Sequence, residues 1–124
     1  MFVGEFDNER DVCKEFRIDK IGGFVIFAGY EIDGYEGAAN VIFVQGGKFW
    51  HVEGSHCSCY GLEDQWEPEE MPVEALLHIA EKGYGPLRQY AVVIRERIQT
   101  VLDTLGLDGD DPERTQFALK LALG

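Results

Sequence analysis

GFVIFAGYEIDGYEGAANVIFVQGGKFWHVE, residues 23–53, is the stretch that decides the fold of this chain. Three runs in it are rich in β-branched and aromatic residues and predict strands: 23–32, 40–44 and 48–53. The glycine-containing segments between them, 33–37 and 45–47, are turn signals. These short connections predict a three-stranded antiparallel meander. In the third strand, apolar and polar positions alternate, which predicts one buried and one wet face.

Helical patterns lie on both sides of this stretch. In the amino-terminal segment, Val12, Cys13 and Phe16 have the spacing of a short amphipathic helix. Three later segments show apolar residues at helical spacing with a proline near the start, and each predicts a helix: 72–83, 86–105 and 112–123.

The order of these elements, α-β-β-β-α-α-α, predicts an α+β fold in which about four helices pack on one face of the sheet. With 124 residues, the chain has the size of one domain. Within it we distinguish an amino-terminal helical part (1–20), the antiparallel strands (23–53), an acidic Cys/His loop (54–71) and a helical part (72–124).

Composition excludes several classes of protein. Hydrophobic residues make up 45% of the chain, which is enough to build a core. No apolar run approaches the roughly 18–20 residues of a membrane span, and the start of the chain lacks the features of a signal peptide. Three cysteines are an odd number, so we expect reduced thiols. The expected location is the cytoplasm of a host cell, with no membrane contact.

The negative charge is unevenly placed. The formal net charge is −12, and residues 21–81 carry eleven acids against one base, Lys48. Such a field repels nucleic acid and attracts basic protein surfaces. An acidic surface that only maintains solubility is the alternative interpretation.

Residues 54–70, GSHCSCYGLEDQWEPEE, concentrate potentially reactive side chains. His56, Cys57 and Cys59 are of the types that bind Zn²⁺, with His51 or His78 as a further ligand. However, structural zinc sites usually space their cysteines by two to four residues, and no second cysteine pair occurs here. A zinc site or a thiol-based site is therefore the alternative hypothesis rather than the leading one.

A cysteine nucleophile is a weaker hypothesis. Neighbouring residues of an extended chain point to opposite sides, so His56 is badly placed to activate Cys57. The surrounding carboxylates also raise the pKa of a thiol, which disfavours the reactive thiolate. We therefore predict no catalytic residues and no required cofactor.

A purely structural role for the same segment is also open. If residues 55–60 are extended, Cys57 and Cys59 face the same way as small buried side chains. Trp66 would then clamp the loop onto the sheet. The acids at 69 and 70 would favour the positive end of the following helix.

A recognition role can coexist with that structural role, because acids and aromatic anchors occur together. The residues predicted to bind a partner are Tyr60, Glu63, Asp64, Trp66, Glu67, Glu69 and Glu70.

The motifs GSHCSCYGLE, QWEPEE and VEALLH resemble a box found in small bacteriophage and prophage proteins. The likeness covers roughly residues 37–83 and implies a phage or prophage origin, together with a helix after the box. It implies no activity.

From charge and resemblance together, we expect a phage-type acidic binding protein that engages a basic surface of a host protein. By analogy with acidic phage proteins that mimic DNA, the target would be a nucleic-acid-handling defence system, so that the chain would act as an anti-CRISPR or anti-restriction inhibitor. A homodimeric assembly factor that uses the helix 86–105 is a further alternative.

Overall fold

A computed structural model of the chain describes residues 1–57, 61–82 and 86–108. Its strands are β1 (Phe2–Gly4), β2 (Phe24–Asp33), β3 (Glu36–Gln45), β4 (Lys48–His56) and β5 (Glu69–Met71). Its helices are α1 (Glu9–Phe16), α2 (Val73–Lys82), α3 (Pro86–Gln89) and α4 (Ala91–Asp108).

The three central strands form the meander that the turn signals predict. Asp33 pairs with Glu36 across one two-residue turn, in which Gly34 has a φ of 64°. The turn between β3 and β4 places Gly46 and Gly47 at φ of 61° and 75°. Such left-handed turns match the twist of an antiparallel pair, and glycine adopts them without steric cost.

The predicted three-stranded sheet is wrong in size and in type. The sheet has five strands in the order β1-β2-β3-β4-β5, with β1 parallel to β2 and the other pairs antiparallel. β1 lies in the segment predicted as helical (1–20), and β5 lies in the predicted loop (54–71). Each outer strand has three residues, which is too short to show an alternation of apolar and polar side chains in the sequence. These segments form strands because their backbones pair with neighbouring strands.

The crossover that a parallel pair requires is made by α1, between β1 and β2. Asn8 caps this helix, since its side chain accepts a hydrogen bond from the backbone N–H of Asp11 (2.9 Å). Arg17 ends it in the left-handed conformation, with a φ of 56°. The predicted short amphipathic helix is therefore confirmed.

The later helices follow the prediction only in part. The segment predicted as helical at 72–83 contains α2. The single helix predicted over 86–105 is interrupted at Tyr90, which separates the four-residue α3 from α4. The ring of Tyr90 packs on Phe27 of the sheet at 5.8 Å. The last predicted helix, 112–123, lies outside the described residues. The described part thus has three helices of two turns or more, not four.

Helices cover both faces of the sheet, so the prediction that they cover one face is wrong. One face, here called the α1 face, packs against α1 through a core that includes Phe16, Val41 and Phe43. The opposite α4 face packs against α2 and α4 through a second core that includes Ile42 and Ile94. Consecutive apolar residues in the central strands supply both faces at once. For the same reason β4 has no wet face at its centre, where His51 and Val52 are both buried.

The apolar residues of α4 are largely used within the chain. Ile94, Ile98 and Val101 are at most 1% exposed, whereas Val92 is 66% exposed. A homodimer through this helix remains a prediction. Within the residues that the structure describes, no helix is long and apolar enough to cross a membrane.

Candidate functional site

The predicted acidic loop is anchored on the α1 face by two side chains. Leu62 is fully buried. Trp66 is half-buried, stacks on Phe43 at 5.8 Å with an interplanar angle of 12°, and meets Phe16 edge-on at 5.1 Å. Trp66 therefore clamps the loop to the sheet, and only part of its ring is open to a partner.

Gln65 holds the same loop to the edge of β4. Its side-chain oxygen accepts a hydrogen bond from the Ser55 N–H (2.8 Å), and its side-chain nitrogen donates to the Ser55 carbonyl (2.7 Å). The same nitrogen also donates to the Gly61 carbonyl (2.7 Å). The amide thus makes the hydrogen bonds of one residue of a neighbouring strand, at Ser55, beyond the part of β4 that pairs with β5.

Replacing Gln65 with Glu should loosen this loop. The carboxylate keeps the acceptor for Ser55 but loses both donated bonds and faces two carbonyl oxygens. We expect a loss of about 1–3 kcal/mol in the free energy of unfolding, measured by urea denaturation. The control Gln45→Glu, at the exposed end of β3, should change it by less than about 0.5 kcal/mol. Equal effects of the two changes would contradict the role assigned to Gln65.

Two of the predicted binding residues have local backbone roles. The Glu63 carboxylate accepts hydrogen bonds from its own backbone N–H and from that of Gly61, and these bonds hold the pKa of Glu63 below its usual value. Asp64 is exposed and has a φ of 63°, a left-handed conformation that Asp tolerates at turns. Both residues therefore shape the loop whether or not they contact a partner.

The residues predicted for a metal or thiol site are only partly described. His56 ends β4, and its Nδ1 is buried without a hydrogen-bond partner among the described atoms. Cys57 follows it and is half-buried, while Cys59 and Tyr60 lie outside the described residues. Within the described part, no group of three or more His, Cys, Asp or Glu is placed to hold a metal ion. The zinc hypothesis remains a prediction, and it depends partly on Cys59, which lies outside the described residues.

The other cysteine in the described part is Cys13, on α1. Burial raises the pKa of its thiol, and the nearby Glu9 and Asp19 raise it further. Its thiolate is thereby disfavoured at neutral pH, so Cys13 lacks the electrostatic setting of a nucleophile.

The acids at the end of the loop do not form one cluster. Glu67 is exposed in the connection before β5. Glu69 and Glu70 are neighbours in β5 and therefore point to opposite faces of the sheet. Glu70 lies 3.6 Å from Lys48 in an exposed ion pair, and Glu69 lies opposite His51 on the α4 face.

Glu69 instead joins four acids that sequence reasoning did not select as site residues. The register of β2, β3 and β4 places these acids on the same face, because residues paired across strands and residues two apart share a face. We call this group of five the acidic sheet face: Glu31, Asp33, Glu36, Glu53 and Glu69.

The acidic sheet face is open in the described part of the molecule. All five carboxylate residues are exposed. Ala38, which pairs with Glu31, and Ser55 are exposed as well, so no described residue covers this end of the α4 face. The only base within β2–β5 is Lys48, and the alternation of β4 turns it to the α1 face.

Alternation of charge in the strands could have revealed this surface. Glu31 and Asp33 are two residues apart, which predicts a shared face for any strand. Whether Glu36 and Glu53 lie on the same face as Glu31 and Asp33 depends on the pairing register of the strands. That register depends on the types of the connecting turns, such as the turn at Gly34.

A buried polar pair lies beside the acidic sheet face. His51 is 8% exposed and Asn40 is 5% exposed, and the His51 Nε2 lies 3.0 Å from the Asn40 Oδ1. Burial lowers the pKa of His51, while Glu53 and Glu69 act in the opposite direction. Burial prevails, so the imidazole is held neutral.

This pair predicts a pH dependence of stability. Because the pKa of His51 is lower in the folded than in the unfolded state, the unfolded state binds the proton more readily below about pH 6.5. Stability is therefore complete above that pH and falls as the pH decreases toward the folded pKa. Between pH 7 and 5, His51→Gln should remove a slope of at most about 1.4 kcal/mol per pH unit from the unfolding free energy. His78→Gln, at an exposed position of α2, is the matched substitution, and an equal effect of the two changes would contradict the role assigned to His51.

Comparisons with protein-family models, with curated proteins and with solved structures found no match to this chain.

Proposed function

We propose that this chain is a non-enzymatic binding protein whose acidic sheet face engages a basic surface of a partner protein. The observation that carries the proposal is the strand register, which gathers five exposed carboxylates on one open face, where the strand residues include no lysine or arginine. Charges of one sign on a rigid surface attract a complementary partner and accelerate its encounter.

The sheet also keeps these carboxylates at fixed spacings. Strands lie about 4.8 Å apart, and residues two apart along a strand lie about 7 Å apart. A rigid array loses little conformational entropy on binding, in contrast to a disordered acidic tail. This rigidity favours recognition of a folded basic surface.

The kind of partner follows from the sign of the charge. A net charge of −12 disfavours direct contact with nucleic acid, whereas the nucleic-acid-binding surface of another protein is basic. Together with the resemblance to phage proteins, this supports a finer proposal. The chain would compete with DNA or RNA for such a surface on a host defence protein, as an anti-CRISPR or anti-restriction inhibitor does.

The test compares two variants with equal changes of net charge. The face variant carries lysine in place of four acids on the acidic sheet face: Glu31, Glu36, Glu53 and Glu69. The control variant carries lysine in place of four exposed acids elsewhere: Glu15, Asp19, Glu96 and Asp103. Proteins bound by the wild-type chain at low salt are recovered from a bacterial lysate, identified, and then titrated in purified form.

The face variant should lose at least about tenfold in affinity for the purified partner, and the control variant less than about threefold. Duplex DNA or RNA should displace the partner from the wild-type chain. If the two variants weaken binding equally, or if nucleic acid and the chain bind the partner together without competition, the proposal fails.

The loop acids are tested separately by Asp64→Asn combined with Glu67→Gln. A loss as large as that of the face variant would show that the partner binds the loop.

A further inference from the structure

The end of the β2–β3 hairpin projects beyond the rest of the sheet. β1 pairs with β2 only as far as Tyr30, and β4 pairs with β3 from Gly37 onward. We call residues 31–36, between these limits, the hairpin tip. All six are exposed, and nothing lies within 4 Å of a Cβ built at Gly34. No described residue therefore covers the hairpin tip.

The hairpin tip carries two of the three large apolar side chains that are exposed in the described part of the molecule. Tyr35 is 80% exposed and Ile32 is 46% exposed, whereas the third, Val92, lies on α4. Tyr35 and Ile32 belong to neither apolar core, so folding does not account for them. Tyrosine is enriched among the residues that dominate binding energy, and it loses little conformational entropy when it is fixed.

The turn holds Tyr35 on a rigid support. Asp33 pairs with Glu36, so the loop has two residues. Gly34 has a φ of +64°, whereas Tyr35 does not have a positive φ. This is the pattern of a type II′ turn, whose twist matches that of the two strands. The tip therefore needs little ordering when it binds a partner.

Shape and charge together select the kind of surface that the hairpin tip fits. Three acids, Glu31, Asp33 and Glu36, accompany the two apolar side chains, and residues 21–47 contain no lysine or arginine. A narrow projection fits a concave surface. Proteins that read duplex DNA instead project a helix or a β-ribbon into its groove. Proteins that bind single strands have a basic groove with aromatic side chains on which bases stack.

We propose that the hairpin tip inserts into the single-strand-binding groove of a nucleic-acid-handling partner. This deepens the proposed function and rests on it. The ring of Tyr35 takes the place of a stacked base, and the carboxylates take the place of the phosphates. Ile32 lies on the opposite face of β2 from Glu31 and Asp33, so it adds apolar contact on the other side of the tip.

The test uses two blocked peptides of equal length and charge, titrated at low salt. One alternates lysine with tryptophan, which supplies the charge and the stacking surface of such a groove, and the other alternates lysine with leucine. Proton spectra follow the ring of Tyr35, because a stacked ring shifts the signals of its neighbour. Tyr35→Leu keeps an apolar side chain without the ring, and Tyr35→Phe keeps the ring. Val92→Ala is the control at an exposed apolar position outside the tip.

We expect the tryptophan peptide to shift the Tyr35 ring signals and to bind several times more tightly than the leucine peptide. Tyr35→Leu should weaken binding of the tryptophan peptide about tenfold and remove the preference. Tyr35→Phe and Val92→Ala should each weaken it less than about threefold. With the purified natural partner, single-stranded nucleic acid should displace the wild-type chain at a lower concentration than duplex.

Two contrary outcomes are distinguishable. If Tyr35→Leu binds both peptides as tightly as the wild type, or if duplex displaces the chain from the partner better than a single strand, the insertion of the hairpin tip is wrong while the proposed function stands. If neither peptide binds the wild-type chain at low salt, the proposed function fails, and the insertion of the tip fails with it.

Discussion

Phe43→Ala is expected to lower the free energy of unfolding by about 4 kcal/mol. Phe43 is 1% exposed and belongs to the core of the α1 face. It lies between two tryptophans, with ring centroids 6.5 Å from Trp50 and 5.8 Å from Trp66. Truncation removes both stacking contacts and leaves a cavity beneath a side chain that anchors the acidic loop.

Urea denaturation monitored by tryptophan fluorescence measures this loss, and both indoles report on the same position. Tyr35→Ala is the matched control, because it truncates an aromatic side chain that is 80% exposed. The control should change stability by less than about 0.5 kcal/mol. A loss below about 1 kcal/mol in Phe43→Ala would show that the aromatic stack does not support the fold.

Gly4→Ala is expected to cost about 3 kcal/mol, for two separable reasons. Gly4 has a φ of +66°, a conformation that costs an alanine about 1–2 kcal/mol. In addition, a Cβ at this position would lie 2.1 Å from the Tyr30 carbonyl oxygen. Relief of that overlap requires β1 to move away from β2, at a further cost of about 1–3 kcal/mol.

Gly34→Ala separates the two contributions. Gly34 has a similar φ, +64°, but nothing lies within 4 Å of a Cβ built there. Its cost should therefore be limited to the backbone conformation, about 1–2 kcal/mol. Hydrogen exchange of the Glu5 amide, which donates to the Tyr30 carbonyl (2.8 Å), reports on the pairing beside β1. Equal losses of stability in the two variants, with unchanged exchange at Glu5, would contradict the close approach of β1 to β2.

The structure also adds a second candidate binding surface to the one predicted in the loop. The predicted residues of the loop include Trp66, which is half-buried against the sheet, and Glu63, whose carboxylate is bonded to backbone N–H groups. The acidic sheet face shares only Glu69 with that prediction. The concentration of acidic residues in 21–81 could be predicted from the sequence, because counting acids requires no geometry. The face of the sheet that these acids share could not be predicted in this way.

The sequence by itself determined the local features: the central meander with its glycine turns, α1 and α2. Each depends on interactions between residues close along the chain, which leave a periodic or compositional signal. Tertiary structure alone decided the two outer strands, the interruption at Tyr90, the burial of both sheet faces and the acidic sheet face. These features arise from partners distant in the chain. β1 forms because its backbone pairs with the edge of β2, and Glu53 shares a face with Glu36 only through strand register.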